Sequence, residues 1–212
     1  NEQAFQVNPI PNPEDGTVDI EYVVEEKSSD QIELSGGYGG AGQASSGVGG
    51  RIIGTLGLTF NNFSTKNMFK KGAWTPLPGG DGQKLSIRAQ TNGKYYQGYN
   101  FSFTEPWLGG KKPNSLSFWV NRTALSTTGF LRSDPNYTGL SITGTGVGLG
   151  RRKRWPDDYF TAYYELSYQY YDVMKDTRFP LFNEGYANDI ALKYVLQRSS
   201  VSAPIYPQSG SN

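Results

Sequence analysis

The sequence predicts an all-β protein, an antiparallel transmembrane β-barrel, and three observations carry that prediction. Apolar side chains recur at every second position along most of the chain. No stretch reads as a helix. The faces between the apolar positions are rich in Ser, Thr, Asn and Gln rather than in the Lys and Glu that bulk water attracts. The clearest case is "DDYFTAYYELSYQYYDV", residues 157–173. Phe160, Ala162, Tyr164, Leu166, Tyr168 and Tyr170 alternate there with Thr161, Tyr163, Glu165, Ser167 and Gln169. A strand turns successive side chains to opposite faces, whereas at 3.6 residues per turn a helix would spread the even set around its whole circumference.

One such strand also fits a soluble sandwich, so repetition decides. "TVDIEYVVEEK" sets Val18, Ile20, Tyr22 and Val24 against Asp19, Glu21 and Glu25, after a proline-rich turn, "NPIPNPEDG". Next, Ile32, Leu34, Gly36 and Tyr38 alternate with Gln31, Glu33, Ser35 and Gly37, and a glycine-rich run follows. Ile52, Leu56, Leu58 and Phe60 share a face, as do Leu85, Ile87 and Ala89 opposite Lys84, Ser86, Arg88 and Gln90. Tyr99, Phe101 and Phe103 alternate with Asn100, Ser102 and Thr104, and Leu116, Phe118 and Val120 with Ser117, Trp119 and Asn121. Leu140 and Ile142 begin "GLSITGTGVGLG", where glycine obscures the phase. After residues 157–173, Ile190, Leu192, Tyr194 and Leu196 face away from Asp189, Ala191, Lys193 and Gln197. About eight strands of roughly 9 to 12 residues follow, longer than the usual soluble strand and suited to a tilted crossing of a bilayer.

Composition agrees and excludes much else. Twenty basic and 19 acidic residues leave a net charge of +1, which is no footprint for nucleic acid. The 212 residues include neither Cys nor His, which removes thiolate and imidazole metal ligands, the cysteine nucleophile and the usual general base. No catalytic group, metal site or cofactor is expected. Mean hydropathy is −0.57, yet Tyr (15), Phe (11) and Gly (27) are abundant, because a transmembrane barrel hides its hydrophobicity in alternation.

Two connections carry more than turn chemistry. "FTEPWLGGKKPN" stops a strand at Pro106 beside Trp107, and "GRRKRWPDD" places Trp155 after four consecutive bases. Both tryptophans sit where a barrel keeps interfacial rings, and both close strands that run in the same direction, so they are expected at one membrane interface. The bases suit either a solvated turn or anionic head groups.

The order "VDIEYVVEEK", "IELSGGYGG", "FNNFS", "FTEPWLGG", "PIYPQSGS" resembles the BamA family of Gram-negative outer-membrane barrel-assembly proteins, across the junction of the last periplasmic POTRA domain with the barrel. The resemblance implies that residues 1–27 are the end of that POTRA domain and lie in the periplasm. Residues 31–212 would then form the first eight or so of sixteen barrel strands, leaving two open edges. It implies a protein that folds and inserts client barrels by strand addition at a lateral seam, with Gln31, Ile32, Glu33, Leu34, Ser35, Gly36, Gly37 and Tyr38 as the pairing strand. Its partners would be unfolded outer-membrane proteins, other subunits of an assembly complex and outer-membrane lipid, with no nucleic acid. The loops "GGAGQASSG", "GKYYQ", "GFLRSDPNY" and "TRFPLFNEG" would face outside. A two-partner secretion pore of the same superfamily is the alternative, and a passive porin is disfavoured by the soluble segment at residues 1–27.

Overall fold

The computed structural model describes residues 5–12, 16–24, 30–39, 51–74, 77–110, 113–128, 130, 132–176, 183–201 and 208–211. Most of "GGAGQASSG" and of "TRFPLFNEG", and the "PIYP" of the closing segment, lie outside the described residues.

Ten strands form two sheets. β1 (Phe5–Asn12) and β2 (Thr17–Val24) make a two-stranded antiparallel hairpin. The other eight are β3 (Gln31–Gly39), β4 (Arg51–Phe63), β5 (Gln83–Asn92), β6 (Tyr96–Glu105), β7 (Asn114–Ser126), β8 (Gly139–Arg152), β9 (Phe160–Met174) and β10 (Gly185–Arg198). They pair in sequence order as one antiparallel meander from β3 to β10. Every connection links spatial neighbours, so no long-range crossover has to be closed.

The hairpin corrects one expectation. "NPIPN" is strand rather than turn, with Pro9 opposite Ile20 and Pro11 opposite Val18. Prolines two residues apart place both missing N–H groups on the same edge of β1, and an edge strand tolerates them there. Val7, Pro9, Pro11, Val18, Ile20 and Tyr22 then share one face. Strand length is also longer than expected at the far end of the sheet, where β7 to β10 run 13 to 15 residues.

In the large sheet the cross-strand register keeps the two faces separate. Leu34 lies opposite Leu56, Leu56 opposite Ala89, and Ala89 opposite Tyr99. Val147 lies opposite Leu166, and Leu166 opposite Leu192. The apolar face is the open one: Leu34, Leu166 and Leu192 are 81%, 58% and 79% exposed, while Tyr163, Glu165, Ser167 and Gln169 on the polar face are half-buried. Among described residues the buried apolar side chains are few, Phe63, Pro78, Ala162 and Val173, and the buried polar ones include Thr55, Gln83, Ser126 and Ser141. A water-soluble sandwich does the opposite, because its stability comes from taking apolar surface out of water. This inverted distribution is that of a sheet whose apolar face meets lipid and whose polar face lines a hydrated interior.

Rings reinforce the apolar face through cross-strand pairs. Tyr164 and Tyr194 lie opposite each other with centroids 4.9 Å apart, and Phe101 meets Phe118 edge-on at 6.3 Å. On the polar face the Tyr163 hydroxyl donates to Glu165 Oε2 at 2.6 Å and lies 3.1 Å from Ser117 Oγ, and Tyr171 bonds Gln169. In a variant series with single cysteines at Phe160, Tyr164, Leu166 and Tyr168, and at Thr161, Glu165, Ser167 and Gln169, a water-soluble thiol reagent is expected to mark the second set and spare the first. Equal labelling of both sets would contradict the assignment of the faces.

The structure also resolves the phase of β8. Gly144, Gly146, Gly148 and Gly150 fall on the polar face, opposite Asn121, Trp119, Ser117 and Ser115, while Val147 and Leu149 take the apolar one. Leu140 and Ile142 lie on the polar face, the reverse of the phase that Val147 and Leu149 follow. The apolar stripe therefore changes sides along the strand. Trp119 occupies the groove the glycines leave: a Cβ built on Gly146 would lie 2.6 Å from its indole nitrogen, and one on Gly144 3.1 Å from the same ring. A Cβ on Gly148 would meet the Tyr163 and Ser117 hydroxyls. Large rings from both neighbouring strands thus fill a strip that has no side chains of its own.

Candidate functional site

The strand proposed for client pairing, Gln31 to Tyr38, is the edge of the sheet. Among the described residues β3 hydrogen-bonds only to β4, and its other side carries a row of backbone N–H and C=O groups without a strand partner. The side chains hold it weakly. Ile32, Leu34 and Tyr38 are 76%, 81% and 71% exposed, and Gly36 lies opposite Gly54, so that cross-strand position is joined by backbone alone. Gly39 belongs to the strand rather than to a tight turn, and Gly40 lies outside the described residues.

One side chain on this edge makes a specific contact. Glu33 reaches over β4 to Arg88 on β5, with Oε1 3.2 Å from a guanidinium nitrogen. Gly57, opposite Glu33, lies under that bridge, and a Cβ there would sit 3.2 Å from both Glu33 Cβ and Oε2. Both charged side chains are about half exposed, so the pair contributes at most about 1 kcal/mol and acts mainly on register. Sequence reading put Glu33 and Arg88 on polar faces without linking them. The available signal was the small residue at 57 between them.

Trp107 and Trp155 come to the same end of the sheet, in the β6–β7 and β8–β9 turns. The Trp107 N–H donates to Glu105 Oε1 at 2.9 Å, and its carbonyl accepts from Gly110 N–H at 2.7 Å. Gly109 and Gly110 make this reversal at φ of +82° and +71°, a region closed to most side chains. Both indoles are exposed, at 53% and 85%. The long β4–β5 turn at this end adds exposed Phe69 and Trp74, with the indole N–H of Trp74 on Met68 carbonyl oxygen at 2.9 Å. The turn is closed by Ser64, whose hydroxyl donates to Asp81 Oδ2 at 2.6 Å; that bond, opposed by desolvation and aided by Lys66 and Lys70, holds the Asp81 carboxyl below its usual range. Of the basic run, Arg152 Nε donates to the Asp158 carbonyl at 2.7 Å and the Lys153 ammonium sits 5.8 Å from the Tyr164 ring centre.

No group of three or more His, Cys, Asp or Glu among the described residues is placed to hold a metal. What the site offers is a backbone edge and the rings that flank it. A family model, the Omp85 superfamily domain, matches residues 79–212, more than half of the chain. The chain belongs to the Omp85 superfamily. Its members are outer-membrane proteins, and the matched residues hold β5 to β10 of the antiparallel sheet. Among solved structures the chain is similar to that of BamA from Haemophilus ducreyi lacking POTRA domains 1–3, with a TM-score of 0.53 and 17% identity. The likeness covers 97% of this chain and 36% of that one, so the chain spans about a third of that structure's length. No curated protein matches.

Membership in an outer-membrane family makes the two-tryptophan rim testable. In variants that keep a single tryptophan, quenchers placed at graded bilayer depths are expected to give the same maximum for Trp107 and Trp155. Trp119, in its glycine groove on the polar face, should be quenched by none of them. Maxima for Trp107 and Trp155 in opposite leaflets would mean that the strand directions are wrong.

Proposed function

We propose that this chain is the part of an outer-membrane insertase that receives client strands, folding and inserting other barrels by strand addition to β3. The observation that carries the reading is the weakly held edge strand, Gln31 to Tyr38, with a glycine pair in its ladder and a free backbone edge. An added strand would gain backbone hydrogen bonds along this edge whatever the client's side chains, and pleat alternation would set its register. Superfamily membership and a barrel fold like that of BamA support the reading. So does the hairpin of β1 and β2, whose exposed apolar face needs covering and suits the end of a POTRA domain at residues 1–27 in the periplasm. Residues 31–212 are then barrel, and the partners are unfolded outer-membrane proteins, other subunits of the assembly complex and outer-membrane lipid.

Site-directed cross-linking tests this directly, because the chain has no cysteine of its own to interfere. With cysteine at Ser35 and single cysteines along the strand of a stalled client barrel, disulfides are expected at one register and at positions two apart, and not between. The same client should not cross-link to cysteine at Ser167 on β9. A chain that transports its substrate through the lumen, as a secretion pore does, would cross-link through lumen-facing positions such as Ser167 instead.

A further inference from the structure

A second binding feature lies on the apolar face at the end of the sheet opposite Trp107 and Trp155. There the β5–β6 turn and the β7–β8 loop flank a cavity of about 540 Å³ whose walls include Lys94, Gln97, Tyr99, Arg122, Arg132 and Tyr137. Gln97, Tyr99 and Arg122 all belong to the lipid-facing register, since Tyr99 lies opposite Arg122 and Gln97 opposite Ala124. A charge on that face is costly inside hydrocarbon and is retained only at head-group depth or against a partner. Along β7, Arg122 comes two residues after Val120, and Val120 lies opposite Phe101. The guanidinium therefore starts where the apolar band stops.

Of the three cations in this cavity, one is balanced by an acidic side chain among the described residues. Arg132 forms an ion pair with Asp172. Neither Lys94 nor Arg122 has an ion-pair partner among the described residues, and both are exposed. Two uncompensated cations sit beside the aromatic rings of Tyr99 and Tyr137, with Phe101 and Val120 continuing the apolar surface toward the bilayer centre. The pair of features matches an amphiphile with an anionic oxygen-rich head and an acyl tail.

We infer that this cavity binds the phosphate of a membrane lipid, with Arg122 and Lys94 on the phosphate oxygens, Gln97 as a further donor, and the lipid's tail lying over Tyr99, Phe101 and Val120. Arginine suits the task, since its planar fork gives two parallel bonds to one phosphate. The site does not depend on client assembly at β3, which lies several strands away.

Native mass spectrometry of the full-length protein in detergent tests the assignment, with dioleoyl phosphatidic acid, dioleoylglycerol and inorganic phosphate as probes. Phosphatidic acid is expected to remain bound, and dioleoylglycerol and inorganic phosphate are not. The double variant Arg122→Gln, Lys94→Gln should weaken phosphatidic acid binding by about tenfold or more, since each base near an anionic lipid contributes about 1 kcal/mol. The charge-keeping variant Arg122→Lys should retain most of it. Heat-modifiable migration establishes that each variant is folded, and client assembly should be normal in all of them. Equal retention of dioleoylglycerol would reduce the site to an apolar groove, and tight binding of inorganic phosphate would make it a site for free anions. Unchanged lipid binding in the folded double variant would overturn the assignment.

Discussion

Leu34→Pro is expected to yield a folded, heat-modifiable barrel that has lost the ability to assemble other barrels. The substitution removes the N–H of Leu34 and introduces a ring that crowds the ladder. Leu34 is an edge residue, 81% exposed, and β3 pairs only with β4 among the described residues, so the rest of the sheet keeps all its hydrogen bonds. An incoming strand has no such reserve, because backbone pairing along nine residues of β3 is most of what it gains. Losing about 1.4 kcal/mol of that pairing already lowers client occupancy tenfold. Conservative side-chain changes such as Leu34→Val should matter little.

The same proline at Leu166 is the control with the larger structural effect. Leu166 is held on both sides, opposite Val147 on β8 and Leu192 on β10. Proline in an interior strand removes a ladder hydrogen bond, and in a bilayer no water replaces the lost partner. Leu166→Pro should therefore fail to give a heat-modifiable species at all. Full assembly activity from folded Leu34→Pro protein would mean that clients do not pair with β3.

Gly146→Val is expected to destabilise the barrel by about 1–3 kcal/mol, the usual cost of forcing volume into a filled space. The added carbons must displace the Trp119 indole, already 2.6 Å from where the first of them would lie. Trp119 is a rigid ring lying across β8 against both Gly144 and Gly146, so it must move as a whole to make room. Urea unfolding of Gly146→Val, Trp119→Ala and the double variant closes a thermodynamic cycle. The cost of valine should largely vanish in the Trp119→Ala background, giving a coupling of about 1–3 kcal/mol. If valine costs the same with and without the indole, the ring does not depend on the glycine strip.

Period-two alternation was enough to locate most of the barrel strands, because each of β5, β6, β9 and β10 shows its two faces within its own residues. Leu85, Ile87 and Ala89 read as one face without knowledge of any neighbour, and so do Tyr99, Phe101 and Phe103. Pro106 and Pro156, each beside a tryptophan, marked the turns at one end. The reading failed where a strand's own residues do not show two alternating faces. β1 looked like a turn because its prolines are tolerable only on an outer edge, and which edge is outer depends on where β2 pairs.

β8 is the clearest division between the two kinds of information. Its strand character and its glycines were visible in the sequence, and so was Trp119 on the polar phase of β7. That those two facts are one feature, a ring seated in a groove, depends on the register that sets Trp119 opposite Gly146. The Glu33–Arg88 bridge over Gly57 and the basic cavity around Arg122 have the same origin: residues 55 and 28 positions apart meet only because the meander folds back. Local alternation follows from the geometry of a single strand, so sequence determined the fold class and, apart from β1 and the phase of β8, the strands and their faces. Contacts between faces depend on pairing register, a property of two strands at once, and only the tertiary structure decided it.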